Sequence, residues 1–419
     1  MPSAVSRGTL SVEHECPQCG GAVRLGEADR LLACPYCRVR LALWPGEFFR
    51  YWIAPAAAAG DEVLLAPYWR IRGLDCALRP YTVRERLLDA TFPAVAVTCL
   101  PATLGLRPQA VSLRLVTART PAFFLEPDRP LGEALAGTAD LSRLADEAIE
   151  GAPPLHREFV VETASLIYTP LVVRDDKVLD ALLMREVPGC AGQAGDLLAR
   201  VERERRGGVG FFAALCPECD RDLVGGPRSV VLLCRSCRVG WQGSREGLQR
   251  VACDALPAAP GAALLPFWRL RATISAFPLL TGEDMIRFAN VSPGVLKGAG
   301  ADPLWFWVPA FPIAPGPFLR VARQLTVAQL PLAAEFPEGA AWGPVLSATI
   351  EAPKAFGAVK VLLAQLGQPR KEVFPRIPEI ETTLEEARLA LLPFAQSAGD
   401  WIQPHTGAAI ARATLRPGR

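Results

Sequence analysis

Eight of the twelve cysteines in this 419-residue sequence fall into two patterns with identical spacing. In each pattern, two Cys-x2-Cys pairs are separated by fourteen residues. Two thiolates on one tight turn converge on one ion, and a second turn, brought back by a hairpin, completes a tetrahedral set of four sulfurs. The spacing therefore predicts two metal sites, one at Cys16, Cys19, Cys34 and Cys37 and the other at Cys216, Cys219, Cys234 and Cys237.

The ligand set also indicates what the metal does. Four thiolates fill every position of a tetrahedral ion, so no position is left open for a catalytic water molecule. Gly20 directly follows Cys19, at a point where such a turn often needs a left-handed backbone. We therefore expect two Zn²⁺ ions per chain, both with a structural role.

The segments CPQCG…CPYC and CPEC…CRSC resemble zinc ribbons, in which two cysteine turns joined by a short hairpin hold one zinc ion. The resemblance covers the ribbons only and leaves the rest of the chain unassigned. Rubredoxins also pair two such turns, but they use iron and a longer intervening segment, so the short spacing favours zinc. Zinc ribbons bind DNA, RNA or protein, or merely hold a domain together, so the resemblance does not select among these functions.

The two halves of the chain are similar beyond the cysteines. The segment LLAPYWRIRG in the first half returns as LLPFWRLRA in the second, and Trp69 and Trp268 follow their cysteine clusters at nearly equal distances. A looser match, with larger offsets, pairs Pro170 with Pro393. These matches predict an internal duplication with pseudo-twofold symmetry, in which both tryptophans anchor the core from the first strand of a repeated unit.

The elements between the clusters indicate a β-rich α+β protein, with each zinc ribbon followed by a strand-led domain. The 39 prolines make long uninterrupted helices improbable. The expected units are a first zinc ribbon at 1–48, a β-rich domain at 49–193, a helical linker at 194–209, a second zinc ribbon at 210–250 and a second β-rich domain at 251–419.

Four segments have helical patterns. Residues 131–150 and 194–207 have helical spacing of apolar and acidic residues, and the second of them ends at a glycine. Residues 353–367 begin near a proline and stop at a glycine. Residues 382–392, TTLEEARLALL, carry a threonine at the start that suits a helix cap.

The sequence shows no set of residues that would carry out catalysis. Its three histidines, His14, His156 and His405, are isolated, and neither a dinucleotide-binding nor a phosphate-binding glycine motif is present. We therefore expect no enzymatic activity. A site between the halves remains a second alternative, and a deep pocket that joins His156 or His405 to carboxylates would support it.

A protein partner is expected, with nucleic acid as the first alternative. The net charge of +2 offers no general attraction to nucleic acid, and neither ribbon carries a basic stripe. Arginine and tryptophan alternate on the repeated strand, so they face opposite sides of the sheet. The function expected is a scaffold or adaptor that holds protein partners in an assembly, with partner-binding candidates Arg70, Arg72, Arg269, Arg271, Trp305 and Trp307.

The N-terminal sequence has no apolar secretory segment, so the expected location is the cytoplasm. Two apolar windows, 90–106 and 302–319, are interrupted by prolines, and no transmembrane segment is expected. Disulfides are disfavoured in that compartment. The four solitary cysteines are therefore expected to be buried free thiols: Cys76, Cys99, Cys190 and Cys253.

Overall fold

Strands dominate the computed structural model, which describes residues 10–56, 63–137, 153–202, 208–332 and 343–416. The β-rich α+β class expected from the sequence is confirmed. Among the described residues, no helix combines the length and the apolar character that crossing a membrane requires.

Ten strands of the first half form one large sheet, in the order β12-β11-β10-β5-β8-β1-β2, with β6 also beside β10 and with β7 and β9 beside β6. The first-half strands are β1 (Ser11–Glu15), β2 (Ala22–Gly26), β3 (Leu31–Ala33), β4 (Arg40–Trp44), β5 (Phe49–Ile53), β6 (Val63–Arg79), β7 (Thr82–Pro93), β8 (Leu113–Leu115), β9 (Phe123–Phe124), β10 (His156–Arg174), β11 (Lys177–Asp180) and β12 (Arg185–Glu186).

Three smaller sheets complete the strand structure, in the orders β13-β4-β3, β14-β15-β16 and β19-β18-β20-β21-β22, and β17 pairs with β20. The second-half strands are β13 (Gly210–Ala213), β14 (Leu232–Cys234), β15 (Val239–Ser244), β16 (Gly247–Val251), β17 (Cys253–Ala255), β18 (Ala263–Ile274), β19 (Phe306–Pro309), β20 (Thr382–Ser397), β21 (Asp400–Ile402) and β22 (Ala409–Ala411).

Most described helices lie in the second half, between β18 and β20. The helices are α1 (Arg107–Ala110), α2 (Ala194–Ala199), α3 (Gly282–Ala289), α4 (Pro315–Ala328), α5 (Ala352–Ala355), α6 (Ala358–Leu366) and α7 (Arg370–Val373), with 3-10 turns at Pro293–Val295, Phe374–Glu379 and Arg412–Thr414. The helix α3 begins with a capping box, in which Thr281 and Asp284 satisfy each other's backbone N–H groups.

Strand β6 is buried on both faces, as its nearly continuous apolar sequence favours. Leu64 and Tyr68 pack into one core cluster, and Trp69 and Ile71 into another on the opposite face. The indole Nε1 of Trp69 donates to the backbone oxygen of Arg129, at 2.8 Å. Both repeated tryptophans are therefore core residues, since Trp268 is only 2% exposed.

Two long antiparallel pairs, β6 with β10 and β18 with β20, share the same register. Pro170 lies opposite Leu65 in the first pair, and Pro393 lies opposite Leu264 in the second. Leu65 lies four residues before Trp69, and Leu264 lies four residues before Trp268. The two pairs of strands therefore align residue by residue at this point.

The two pairs also share an irregularity. In β10 the register shifts at Glu162, which lies opposite the link between Arg72 and Gly73. In β20 it shifts at Glu385, which lies opposite the link between Arg271 and Ala272. A bulge adds one unpaired residue and bends the strand locally. Each bulge therefore falls beside the second arginine of its repeated segment.

The helix predicted at 382–392 is wrong, because these residues form the first part of β20. Leu, Glu, Ala and Arg are good helix formers, so local propensity favoured a helix. In the structure, the segment pairs with β18 along its whole length. Residues 389–392 are completely or almost completely buried there. Tertiary pairing therefore overrides the local preference.

The other helical segments are found in part. Residues 131–137 are helical, and the rest of the segment predicted at 131–150 lies outside the described residues. The helix predicted at 194–207 ends early, as α2, and Val201 then bridges to Leu125. The segment predicted at 353–367 forms α5 and α6.

The largest apolar core lies in the second half and includes residues of the first. Trp268, Phe267 and Trp307 belong to it, and so do Leu74 and Val160 from the centre of the first-half sheet. The two halves therefore bury apolar surface against each other, a non-directional contribution to stability that grows with the area removed from water.

Candidate metal centres

The first cysteine cluster brings four Sγ atoms together between two tight turns. The Sγ of Cys16 lies 3.8 Å from that of Cys37, and the Sγ of Cys19 lies 3.7 Å from that of Cys34. All four Sγ atoms lie within 4.8 Å of one another. A tetrahedral ion with bonds of about 2.3 Å to sulfur requires sulfur–sulfur separations of about 3.8 Å. The cluster therefore has the dimensions of a metal site.

The second cluster has the same pairing of atoms. The Sγ of Cys216 lies 3.9 Å from that of Cys237, and the Sγ of Cys219 lies 3.5 Å from that of Cys234. The backbone N–H of Cys237 donates to the Sγ of Cys234, at 3.3 Å. Such N–H···S bonds stabilise a thiolate and fix its direction toward the ion. Both predicted tetracysteine clusters thus have a geometry that can hold a metal.

A left-handed residue follows each of the four Cys-x2-Cys pairs. In every turn, the N–H of this residue donates to the carbonyl oxygen of the first cysteine, at 2.8 to 3.0 Å. A left-handed backbone costs a residue with a side chain about 1–2 kcal/mol. The sequence indicated this conformation only at the glycine, whereas the structure has it at Gly20 (φ 73°), Arg38 (φ 62°), Asp220 (φ 57°) and Arg238 (φ 59°).

Short strands deliver the cysteines to the clusters. Strand β1 ends one residue before Cys16, β3 ends one residue before Cys34, and β14 ends at Cys234 itself. The first cysteine of each pair is buried, whereas its partner three residues on is intermediate or exposed. Each cluster therefore has one side in the ribbon core and one side near solvent.

The thiols of the first cluster do not titrate alike. Burial alone would raise the pKa of Cys34, but hydrogen bonds from the backbone N–H groups of Cys37 and Tyr36 help to lower it to about 6. The pKa of Cys37 is about 12, because burial and hydrogen bonds with the other three thiols outweigh a hydrogen bond at Val39. A metal that binds all four sulfurs as thiolates must therefore displace protons from the cluster.

The two ribbons pack against each other. Strand β4 of the first ribbon pairs with β13, which leads into the second cluster. The backbone N–H groups of Arg30 and Leu31 both donate to the carbonyl oxygen of Pro227, at 2.6 and 2.9 Å. Apolar side chains from both ribbons form one core cluster, which includes Leu31, Ala42, Leu223, Leu232 and Trp241. The spacing of the cysteines does not indicate this contact between the two ribbons.

The first pair of partner-binding candidates is engaged within the chain. Arg70 is 5% exposed and forms ion pairs with Glu27, at 3.4 Å, and with Asp89. Burial lowers the pKa of Arg70, and the charge of Glu27 opposes that effect. Arg72 lies 3.5 Å from the same Asp89. Arg70 therefore joins Glu27 of the first ribbon to β6, and both guanidinium groups join β6 to Asp89 of β7.

The second pair differs in exposure. Arg269 donates to Asp254, at 2.7 Å, and lies 4.4 Å from the ring centroid of Trp305. Arg271 is 41% exposed. It lies 3.0 Å from Glu386 and 5.8 Å from the ring of Trp305. Among the six candidates, Trp307 is fully buried on β19. Arg271 and the partly buried Trp305 are the members of this group that reach the surface together.

The three histidines lie far apart in different surroundings. His14 stacks on Phe211, and burial lowers its pKa. The ring of His156 contacts Glu158, at 2.7 Å. His405 is exposed and lines a groove in which none of the described lining residues is a carboxylate. The structure does not bring any two of these rings together.

Two of the four solitary cysteines form a disulfide, Cys99 with Cys190. The expectation of free thiols is therefore wrong for this pair and right for Cys76 and Cys253. The two bonded residues are 91 apart in sequence, so no local spacing indicated their pairing.

Comparisons with protein-family models, with curated proteins and with solved structures find no match to this chain.

Proposed function

We propose that each cysteine cluster binds one Zn²⁺ ion, that both ions are structural, and that the protein is a non-enzymatic scaffold for protein partners. The observation that supports this most directly is the arrangement of the sulfurs. In each cluster, two Sγ–Sγ distances lie between 3.5 and 3.9 Å, and all four sulfurs lie within 4.8 Å of one another. These distances suit a tetrahedral zinc–thiolate centre, in which separations of about 3.8 Å are expected.

A structural role follows from the donor set. Four thiolates saturate a tetrahedral ion, so each zinc would have no open position for water or substrate. The ion would supply folding energy by joining the two cysteine turns of each cluster. The chain's own residues hold the thiolates in place, through the backbone hydrogen bonds that close each cysteine turn.

The first ribbon lies at the contact between the two halves, where a scaffold needs rigidity. The first ribbon reaches the second half through Arg30, whose guanidinium lies 2.6 Å from Glu351. Glu351 also lies 2.9 Å from Lys354, and these two cations lower its pKa against the effect of burial. A second link joins Arg416 to Glu162 at the bulge of β10. The ribbons and these ion pairs would fix the two halves relative to each other.

We further propose that the two halves are diverged copies related by pseudo-twofold symmetry. The support is the shared register of the two long strand pairs, together with the bulge beside the second arginine of each copy. Two similar halves with a common centre provide two related surfaces for partners. Arg271 and Trp305 are the proposed contact residues, because both reach the surface beside each other.

The proposed location is the cytoplasm, where thiols stay reduced and available to zinc. The disulfide between Cys99 and Cys190 is uncommon for that compartment. Its cysteines belong to neither cluster, so oxidation of this pair leaves all eight proposed ligands free.

One experiment tests both parts of the proposal. Native mass spectrometry of the reduced chain, captured from its host, reads the zinc content and the bound partner from a single sample. We expect two zinc ions per chain and the mass of a protein partner, which Arg271→Glu should release. A matched control is Arg245→Glu, at an exposed turn of the second ribbon. A zinc content near zero would refute the metal sites, and a nucleic-acid mass in place of a protein would refute the scaffold.

A further inference from the structure

A groove of about 590 Å³ lies in the second half, beside the turn at 403–407. Its walls come from the helices α3, α4, α6 and α7 and from the loops between elements, one of which holds Lys297. A volume of this size is typical of sites for small molecules, which run from about 300 to 1,000 Å³. The groove lies apart from both cysteine clusters, so the inference below does not depend on zinc.

Three helices end at this groove. The C-terminal residues of α3, α4 and α6, which are Ala289, Ala328 and Leu366, all line it. All three helices lie between β18 and β20, whereas the described helical residues between β6 and β10 are those of α1 and residues 131–137. The groove is therefore a feature of the second half, added to strands that both halves share.

Positive charge collects along the groove. Lys297, Arg323 and Arg370 line it together with His405, and none of the described lining residues is Asp or Glu. Within the described part of the chain, none of these three cations forms an ion pair. Three helix C-termini carry about −1.5 elementary charges in total, at about −0.5 each. Three cations therefore leave a positive surplus of about 1.5.

Hydrogen bonds position three of the polar residues that line the groove. The N–H of Lys297 donates to the carbonyl oxygen of Ala328, at 2.7 Å, which ties this loop to the end of α4. Arg370 donates to the backbone oxygen of Tyr81, at the tip of the β6–β7 hairpin. The N–H of His405 donates to the side-chain oxygen of Gln403, at 2.7 Å. Of the three cations, Arg370 therefore has a positioned guanidinium group, and a positioned group loses little conformational entropy when it binds an anion.

The rest of the groove is apolar or neutral. Val291, Val295 and Val327 contribute aliphatic surface. The buried Oε1 of Gln365 has no hydrogen-bond partner among the described residues. Rotating this amide exchanges its oxygen and nitrogen positions, so the side chain can present either an acceptor or two donors. A ligand that matches this surface needs a negative group, an apolar body and a polar atom for the amide.

We propose that this groove is a binding site for a small organic anion, in which Lys297, Arg323 and Arg370 contact the negative group and the valines contact the apolar body. A negatively charged ligand gains from the positive surplus, because a cleft with low-dielectric walls concentrates the field of its charges. The apolar body gains by leaving water.

The test uses two fluorescent probes that differ in charge. Anilinonaphthalene sulfonate carries a negative sulfonate on an aromatic body, and phenylnaphthylamine is its uncharged counterpart. We expect saturable binding of the sulfonate at one site per chain. Arg323→Glu and Lys297→Glu should each weaken it on the order of tenfold, whereas binding of the uncharged probe changes little. Both side chains are exposed, so neither change should alter the fold.

The control is Arg245→Glu, which makes the same change of charge at an exposed position outside the groove. It should bind the sulfonate as the unaltered chain does. An equal loss in the control would show a general effect of net charge and would overturn the proposal. Unaltered binding by both groove variants, or no saturable binding by the unaltered chain, would also overturn it.

Discussion

Each half of the chain contains a long antiparallel pair of strands, and the two pairs are connected by different structures. In the first half, the described part of the connection between β6 and β10 includes β7, β8, β9, the short helix α1 and the helical residues 131–137. In the second half, the connection between β18 and β20 carries α3, α4 and α6. The register and the bulge are nevertheless the same in both pairs of strands. The strand pair thus behaves as a framework that accepts different connections, and the groove belongs to only one of them.

The first arginine of the repeated segment has a different acidic partner in each half. Arg70 and Arg269 occupy matching positions in the repeated segments, yet they pair with different acids. Glu27 comes from the first ribbon, whereas Asp254 comes from β17. The same arginine position therefore pairs with the first ribbon in one half of the chain. In the other half it pairs with a neighbouring strand.

The largest effect is expected from removing one metal ligand in either ribbon. Cys34→Ser and Cys234→Ser are matched changes, because both cysteines are buried and occupy equivalent places in their clusters. Structural zinc in such sites supplies about 10–16 kcal/mol of apparent binding energy. Since the ribbons share one apolar core, we expect each change to weaken zinc binding in the other ribbon too. Zinc content after dialysis against a moderate chelator measures this.

Cys76→Ala serves as the control, because this buried thiol lies outside both clusters. It should retain two zinc ions. If either ligand variant keeps one zinc ion with the affinity of the unaltered chain, the ribbons are independent and the coupling is refuted.

A smaller effect is expected from truncating the matched tryptophans. Trp268→Ala should cost about 4 kcal/mol, because it leaves a cavity in the largest core and removes a hydrogen bond to the backbone oxygen of Ile350. Trp69→Ala also removes one hydrogen bond, to the backbone oxygen of Arg129, but it should cost only about 3 kcal/mol, since Trp69 borders an open cavity that water can enter. Urea unfolding of the two variants measures the difference. A larger loss at Trp69 would contradict the proposed order.

The smallest effects are expected from changing the acids that partner the two matched arginines. Asp254 is fully buried and accepts hydrogen bonds from Arg269 and Arg388, so Asp254→Asn should cost about 3 kcal/mol. Glu27 lies 3.4 Å from Arg70, and its carboxylate oxygens accept no hydrogen bond among the described residues. Glu27→Gln should therefore cost only about 1 kcal/mol. Thermal unfolding tests this order, with the exposed Glu246→Gln as a control that should change nothing. Equal losses for the two buried acids would count against the comparison.

The local spacing of residues in the sequence was sufficient to predict the two candidate metal sites. The eight cysteines, the turns between them and the repeated tryptophan strand are all encoded within short windows of sequence. The two tetracysteine clusters formed as predicted. The left-handed backbone at Arg38 and Arg238 was missed because arginine rarely adopts it, and at Asp220 it was missed although aspartate is enriched there.

Contacts between distant residues could not be read from such windows. The strand at 382–392 has helix-forming residues, and its pairing with β18 decides the outcome. The disulfide partners Cys99 and Cys190 carry no spacing signal. The contact between the ribbons joins segments that are far apart in the chain and depends on backbone atoms, which every residue type offers.

The pairing of β4 with β13 also determines when the first ribbon can be completed during synthesis. Strand β4 ends at Trp44, and its partner begins only at Gly210. At about 5–20 residues per second, a ribosome needs roughly 10–30 s to make the intervening chain. Throughout that interval one edge of β4 has no partner, and exposed strand edges are prone to pair with other chains. A nascent chain is therefore most vulnerable to aggregation before the second ribbon emerges, and chaperones that bind early would have their main effect in that period.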